Sequence, residues 1–167
     1  AALTTNRIAE VAGVSIGSLY QYFPDKTALA GALVERKAAR DLEELGAALA
    51  QAAPAGLEQT LRVVTKTVVE LHRRDRALLK ALLALVSPTG RFEAVRALAA
   101  RGRVGVVAML EANDALVRAG DRELISFVLG RALEEVVHAA LTESPELLDH
   151  PGFADELFEL AWRYLRD

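Results

Sequence analysis

Apolar residues recur along this chain at steps of three and four, the period at which one face of an α-helix is buried. The clearest run is Leu57, Leu61, Val64, Val68 and Leu71, which reads as an amphipathic helix. Arg74-Asp75 separates it from a second helical pattern holding Leu78, Leu79, Leu82, Leu83 and Val86, and Ser87-Pro88-Thr89-Gly90 reads as a turn. A long helical pattern follows from Phe92 to Arg118, expected to bend or break near Gly102 and Gly105. Gly120-Asp121 opens the next helix, which carries Ile125, Phe127, Val128, Leu129, Leu133, Val136, Val137 and Leu141. After Ser144-Pro145 and His150-Pro151-Gly152, a last helix is predicted from Phe153 to Leu165. No run of alternating β-branched and polar residues competes with these patterns, so the predicted class is all-α.

The start of the chain is punctuated differently. Thr4 and Thr5 are placed to cap a short helix that Gly13 ends. Ser15 is a natural N-cap for a second short helix, Ile16 to Phe23. Pro24-Asp25 interrupts it, and Asp25 can cap a third that runs from Lys26 into the 40s. Two short helices around a glycine-containing turn form a helix-turn-helix pattern. Ile8, Val11 and Ala12 are expected to tie down the first helix, and Leu19 and Phe23, four apart, to seat the second. That leaves Ile16, Gly17, Gln21 and parts of Ser18 and Tyr20 facing outward, as insertion into a DNA major groove requires. Backbone N–H groups at Thr4/Thr5, Ser15 and Asp25/Lys26 are suited to phosphate oxygens. Ala53-Pro54-Ala55-Gly56 is a connection. The chain is expected to divide into an N-terminal helix-turn-helix DNA-binding domain at 1–45 and a second helical domain at 46–167.

Composition narrows the function. Apolar residues make up 52% of the 167, with 26% charged, which is enough for a sizeable core and a buried surface between proteins. No apolar stretch approaches the ~20 residues that span a bilayer, so no membrane partner is expected. Without cysteine there is no disulfide framework and no thiolate metal site or nucleophile. The formal net charge is −3, yet Arg7, Lys26, Arg36, Lys37 and Arg40 outnumber the acids of residues 1–40 and make that end basic. Glu134 and His138 share a helical face at ligand spacing, but no second pair accompanies them, so His72, His138 and His150 read as packed or solvated. With no glycine-rich phosphate loop, nucleophile elbow or His–carboxylate set, neither an enzyme nor a cofactor is expected. A helical interaction module without DNA binding and an enzyme that transforms a small molecule are the alternatives.

The string Thr4-Thr5-x-x-Ile8-Ala9-x-x-Ala12-Gly13-Val14-Ser15-x-Gly17-Ser18-Leu19-Tyr20-x-Tyr22-Phe23-x-x-Lys26-x-x-Leu29 resembles the DNA-binding signature of TetR-family regulators. The resemblance covers about the first 30 residues. It implies a repressor that binds palindromic double-stranded DNA as a homodimer and is released by a small-molecule effector. Thr4, Thr5, Tyr20, Tyr22 and Lys26 would then meet phosphates, while Ser15 caps the recognition helix. Ile16, Gly17, Ser18 and Gln21 would face base edges, with Gln21 the hydrogen-bonding reader and Ile16 able to meet a thymine methyl. Recognition helices would lie ~34–36 Å apart for half-sites one turn apart. The family also carries a helix before Thr4, where only Ala1-Ala2-Leu3 stand here, so further N-terminal residues are expected in the native protein.

The same resemblance implies a pocket among the middle helices, for which Thr65, His72, Arg103, Met109, Asn113, Phe127 and Trp162 are candidates. The apolar excess points to a hydrophobic effector. Helices with apolar residues on two faces need one partner inside the subunit and another outside, which assigns 121–142 and 153–165 to dimerisation. The expected interface residues are Ile125, Leu129, Leu133, Val136, Val137, Leu157, Phe158, Ala161 and Trp162.

Overall fold

Each helix of the N-terminal segment begins on a side-chain oxygen that satisfies an otherwise orphaned N–H. In the computed structural model, which describes residues 4–83 and 93–166, α1 spans Thr5–Ala12 and the Thr4 hydroxyl accepts from the Arg7 N–H at 3.3 Å. Gly13 closes α1 in the left-handed region at φ 68°, returning its N–H to the carbonyls of Ala9 and Glu10. α2 spans Ile16–Tyr22 behind Ser15, and α3 spans Lys26–Ala52 behind Asp25, whose carboxylate accepts from the Ala28 N–H at 2.7 Å. α3 is unbroken for 27 residues, roughly 40 Å at helical rise, so it extends beyond the 40s and the division at 45/46 falls inside it.

α4 (Leu57–Arg74) and α5 (Arg76–Leu83) meet at Asp75, as the pattern predicted. α6 spans Glu93–Ala112, α7 Arg122–Glu143 and α8 Phe153–Leu165. Val86, the turn at 87–90 and the start at Phe92 lie outside the described residues. Gly102 and Gly105 do not break α6. A β-carbon at Gly102 would stand 2.8 Å from Leu42 Cδ1, and one at Gly105 3.4 Å from Leu49 Cδ2, so these glycines let α6 lie close on α3. α1 differs from expectation too. Ala9 is its buried residue and Ile8 is half-buried, whereas Val11 is 73% exposed and Ala12 is also exposed. Val11 lies about 200° around the helix from Ala9, on the exposed side.

The core forms where α4 runs between α3 and α8, with α6 and α7 closing the side. Leu57 and Leu61 of α4 pack with Met109, Leu110, Ile125, Leu129, Phe158, Ala161 and Leu165. A second cluster joins Val69 to Val137, Ala140, Leu141, Leu148 and Leu157. The connection into α7 is tied to the end of α8, since Arg118 donates through its backbone N–H to the Leu165 carbonyl at 2.7 Å and through Nε to the Tyr164 carbonyl at 2.9 Å. Among the described residues no helix is long and apolar enough to cross a membrane.

Candidate nucleic-acid interface

α2 is seated by its apolar side. Leu19 is buried, Phe23 is half-buried, and the opposite side of the helix stands clear of the protein. Ile16, Gly17, Tyr20, Gln21 and Tyr22 are exposed, Tyr22 to 79%. Gly17 has an ordinary negative φ, and a β-carbon there would meet only Ser15 Oγ, at 3.8 Å. Nothing inside the protein therefore requires a glycine at that position.

The supporting polar groups are partly engaged within the protein. Ser15 Oγ accepts from the Ser18 N–H at 3.0 Å and lies 2.9 Å from Ser18 Oγ, so half-buried Ser18 is turned to the cap rather than outward. Thr5 Oγ1 and the Tyr20 hydroxyl are hydrogen-bonded at 3.2 Å, which links the start of α1 to the middle of α2. Thr4 and Lys26 stand at the first turns of α1 and α3, Thr4 exposed and Lys26 half-buried. Thr4, Thr5, Ser15, Tyr20 and Tyr22 thus belong to α1, α2 and their caps, with Thr5 and Tyr20 in direct contact, and Lys26 begins α3. Arg7, paired with Glu10 at 2.7 Å and exposed on α1, adds a cation that the motif did not single out.

Among the described residues, most of the effector candidates are engaged within the protein. Thr65 is buried and donates to the Leu61 carbonyl of its own helix, and Asn113, just past the end of α6, donates back to the Met109 carbonyl. Met109 is a core residue. Arg103 pairs with Glu123 at 3.2 Å and stands over the ring of exposed Phe127. Trp162 stacks on Phe158 at 5.9 Å and carries Arg166 on its ring. Two open surface clefts lie nearby, one lined by Arg76, Ala77, Lys80, Pro145, Glu146 and Asp149, the other by Glu159, Trp162, Arg163 and Arg166. Trp162 is the one candidate that lines either of them.

His72 and His138 meet instead of pointing to separate partners. Their rings lie edge to face at 5.4 Å between α4 and α7, while Glu134 pairs with Arg131 at 2.5 Å. His72 Nδ1 lies 2.9 Å from the Val68 carbonyl, and burial, outweighing that hydrogen bond, holds the ring below the ordinary histidine value. Beside this pair lies buried Lys37, whose ammonium is 2.5 Å from Asp41 and 3.0 Å from Asp75. Burial alone would raise the Asp75 carboxyl. The Lys37 hydrogen bond, with the charges of Lys37, Arg40 and Arg74, instead holds it below the usual range. Lys37 escaped the motif reading, although it lies seven residues after buried Ala30 and so on the same inward face.

The dimer residues also need correcting. Ile125, Leu129, Val137, Leu157, Phe158 and Ala161 are each no more than 4% exposed within the subunit, so they have almost no area left for a second copy. Leu133 and Trp162 are half-buried, and Val136 is 41% exposed. The apolar side chains that α7 and α8 leave outside are Leu124, Phe127, Val128, Val136 and Leu160. Periodicity showed that these helices are apolar on two faces, but not which face the subunit itself consumes.

Residues 56–165 match the family model described as Tetracyclin repressor-like, C-terminal domain, and residues 1–33 match that of bacterial regulatory proteins, tetR family. The nucleoid occlusion factor SlmA of Actinobacillus pleuropneumoniae serotype 5b (strain L20) is 56% identical over 34 residues, 20% of this chain and 17% of that protein. SlmA of Glaesserella parasuis serovar 5 (strain SH0165) is 30% identical over 80 residues, 48% of this chain and 38% of that protein. These matches thus take in less than two fifths of either relative's length. Among solved structures, a protein of unknown function from Rhodococcus sp. RHA1 superposes with a TM-score of 0.67 at 21% identity, over 99% of this chain and 85% of that one. The TetR family transcriptional regulator PfmR from Thermus thermophilus superposes with a TM-score of 0.59 at 21% identity, over 98% and 85%.

Proposed function

The chain belongs to the TetR family of bacterial transcriptional regulators, and from that premise we propose that it is a repressor that holds a palindromic operator as a homodimer and releases it when a small hydrophobic effector binds. The observation that carries the operator reading is the outward side of α2. Ile16, Gly17, Gln21 and Tyr22 are exposed on a helix whose other side is anchored by Leu19. Gln21 reads a base edge, Ile16 meets a thymine methyl, and Thr4, Thr5, Tyr20, Tyr22 and Lys26 hold phosphates around them. Ser15 and Ser18 keep the start of α2 in place by capping it. Residues 1–45 serve DNA binding and 46–167 serve effector binding and dimerisation, with α3 common to both. The exposed Leu124, Phe127, Val128, Val136 and Leu160 support pairing of two copies through α7 and α8.

The test is retention of random duplex DNA by the full-length protein, followed by sequencing of what is kept. Enrichment of a palindrome is expected, and retention that responds to salt but shows no motif would overturn the operator reading. With the operator in hand, Gln21→Ala is expected to relax preference at one position of each half-site by about 1–3 kcal/mol. Tyr22→Ala should instead weaken binding to all sequences alike. Unchanged sequence preference in Gln21→Ala would remove it as the reader.

Gly17 gives a sharper result, because its effects on stability and binding should have opposite signs. Alanine there fits the protein, since the new β-carbon has only Ser15 Oγ near it, and should stabilise α2 by about 0.5–1 kcal/mol. Operator affinity should fall nonetheless, because the methyl group would occupy space needed for the DNA. A thermal melt and an operator titration on the same Gly17→Ala protein decide this. A rise in both stability and affinity would mean that the DNA does not approach closely here.

A further inference from the structure

We propose that the junction of α3, α4 and α7 around Lys37, Asp75 and the His72–His138 ring pair is a proton-sensitive joint that sets the seating of α3, and through it the affinity for DNA. The DNA part of this inference rests on the operator reading above; the joint itself does not.

α3 starts at Lys26, the proposed phosphate contact, and reaches the body of the protein without a break, so its seating is fixed by whatever grips its middle. Beside the apolar packing of Leu42 and Leu49 on α6, part of that grip is ionic and buried. Lys37 is 6% exposed and its ammonium lies between Asp41 on the same helix and Asp75 at the α4–α5 break. Arg40 pairs with Asp75 as well, and Arg74 reaches back to Glu44 at 3.2 Å. An ammonium this deeply buried is tolerated only while its carboxylates stay in place.

His72 adjoins this grip from α4. The Val68 carbonyl can only accept, so His72 Nδ1 carries the proton and Nε2 is the atom left to titrate. A second proton creates a cation in half-buried surroundings. The groups facing it are His138 from α7 and Lys37 and Asp41 from α3, alongside the Val68 carbonyl of its own helix. Of the other charges on these elements, Arg73 pairs with Glu70, Arg131 with Glu134, and Arg76 of α5 with Asp149. Burial opposes protonation most, joined by His138 and Lys37, and together they outweigh the Val68 hydrogen bond and Asp41, which favour it.

The sign follows from that balance. A histidine held below its ordinary value favours the seated joint when neutral. This advantage is complete above about pH 6.5 and is lost as pH falls from there through the lowered native value. Relief comes by moving His72 away from Lys37 of α3 and His138 of α7. Reseating α3 against α4 changes the placement of the helix-turn-helix at its other end.

Two readouts test the joint on the full chain. Because the sequence has no cysteine, Thr27→Cys on α3 and Arg163→Cys on α8 can be spin-labelled without interference, the labelled protein being diluted with unlabelled chain. The label distance is expected to shift between about pH 7.5 and pH 5.5, and the shift should vanish in His72→Asn, whose amide can still donate to the Val68 carbonyl but does not titrate. Operator affinity measured over the same range should fall about tenfold or more in the parent and stay within about twofold in His72→Asn. Equal pH responses in parent and variant, or no shift in either, overturn the joint. A distance shift that depends on His72, together with no sequence-specific DNA binding at any pH, would leave the joint standing and remove the operator reading.

Discussion

A protein carrying both Val136→Glu and Leu160→Glu is expected to be a folded monomer whose affinity for a palindromic operator is lower by about two to four orders of magnitude, the gain that linking two half-site readers supplies. Val136 is 41% and Leu160 44% exposed, on sides of α7 and α8 that the subunit core does not use. Their neighbours Val137 and Ala161 are fully buried within the subunit and hold the fold independently of any partner. The substitutions therefore place charge on the surface of a lone subunit, where it costs little, but inside an apolar contact between copies, where it costs much. Because the two copies are equivalent, each substitution would enter the contact twice. Sedimentation at micromolar concentration, a thermal melt and an operator titration together decide the matter. Loss of dimer with the melt nearly unchanged is the expected result. An intact dimer would move the contact to the Leu124, Phe127 and Val128 end of α7 or elsewhere.

How far the sequence could be read depended on the range of the interactions concerned. Caps are local, so Thr4, Gly13, Ser15, Asp25 and Asp121 act where the pattern placed them. The α4–α5 break at Asp75 and the span of α8 were legible for the same reason. Glycine is ambiguous in a sequence: Gly13 terminates a helix, whereas Gly102 and Gly105 keep α6 helical and serve an approach to Leu42 and Leu49, more than fifty residues earlier in the chain. Buried charge is equally non-local. Nothing near Lys37 in sequence announces Asp75, and nothing near His72 announces His138, because each pair is made by helices meeting in space. The outward residues of α2 were legible because two short helices and one turn suffice to orient them. That Thr65 and Asn113 would bond to carbonyls four residues back was not legible, since a polar side chain in an apolar stretch does not announce its partner.

Phe158→Ala is expected to cost about 3–5 kcal/mol of folding stability, a large share of the roughly 5–15 kcal/mol that holds an ordinary domain together. Phe158 is 1% exposed at the centre of the α4–α8 contact, with Leu57, Leu61, Leu110 and Ile125 in the same cluster. Arg62 lies over its ring at 3.8 Å and Trp162 stacks on it, so truncation removes apolar burial, a cation–π contact and a ring partner together. The helical pattern of α8 alone had placed Phe158 between subunits, and the two locations predict different measurements. A residue in the contact between copies weakens dimerisation, so its effect on the unfolding midpoint varies with protein concentration. A residue inside the subunit lowers stability by the same amount at low and high concentration. Urea unfolding of Phe158→Ala at both concentrations, with Trp162→Ala as the half-buried comparison, separates the two. A concentration-independent loss that exceeds that of Trp162→Ala is the outcome expected of a core side chain, and a loss confined to low concentration would return Phe158 to the dimer contact.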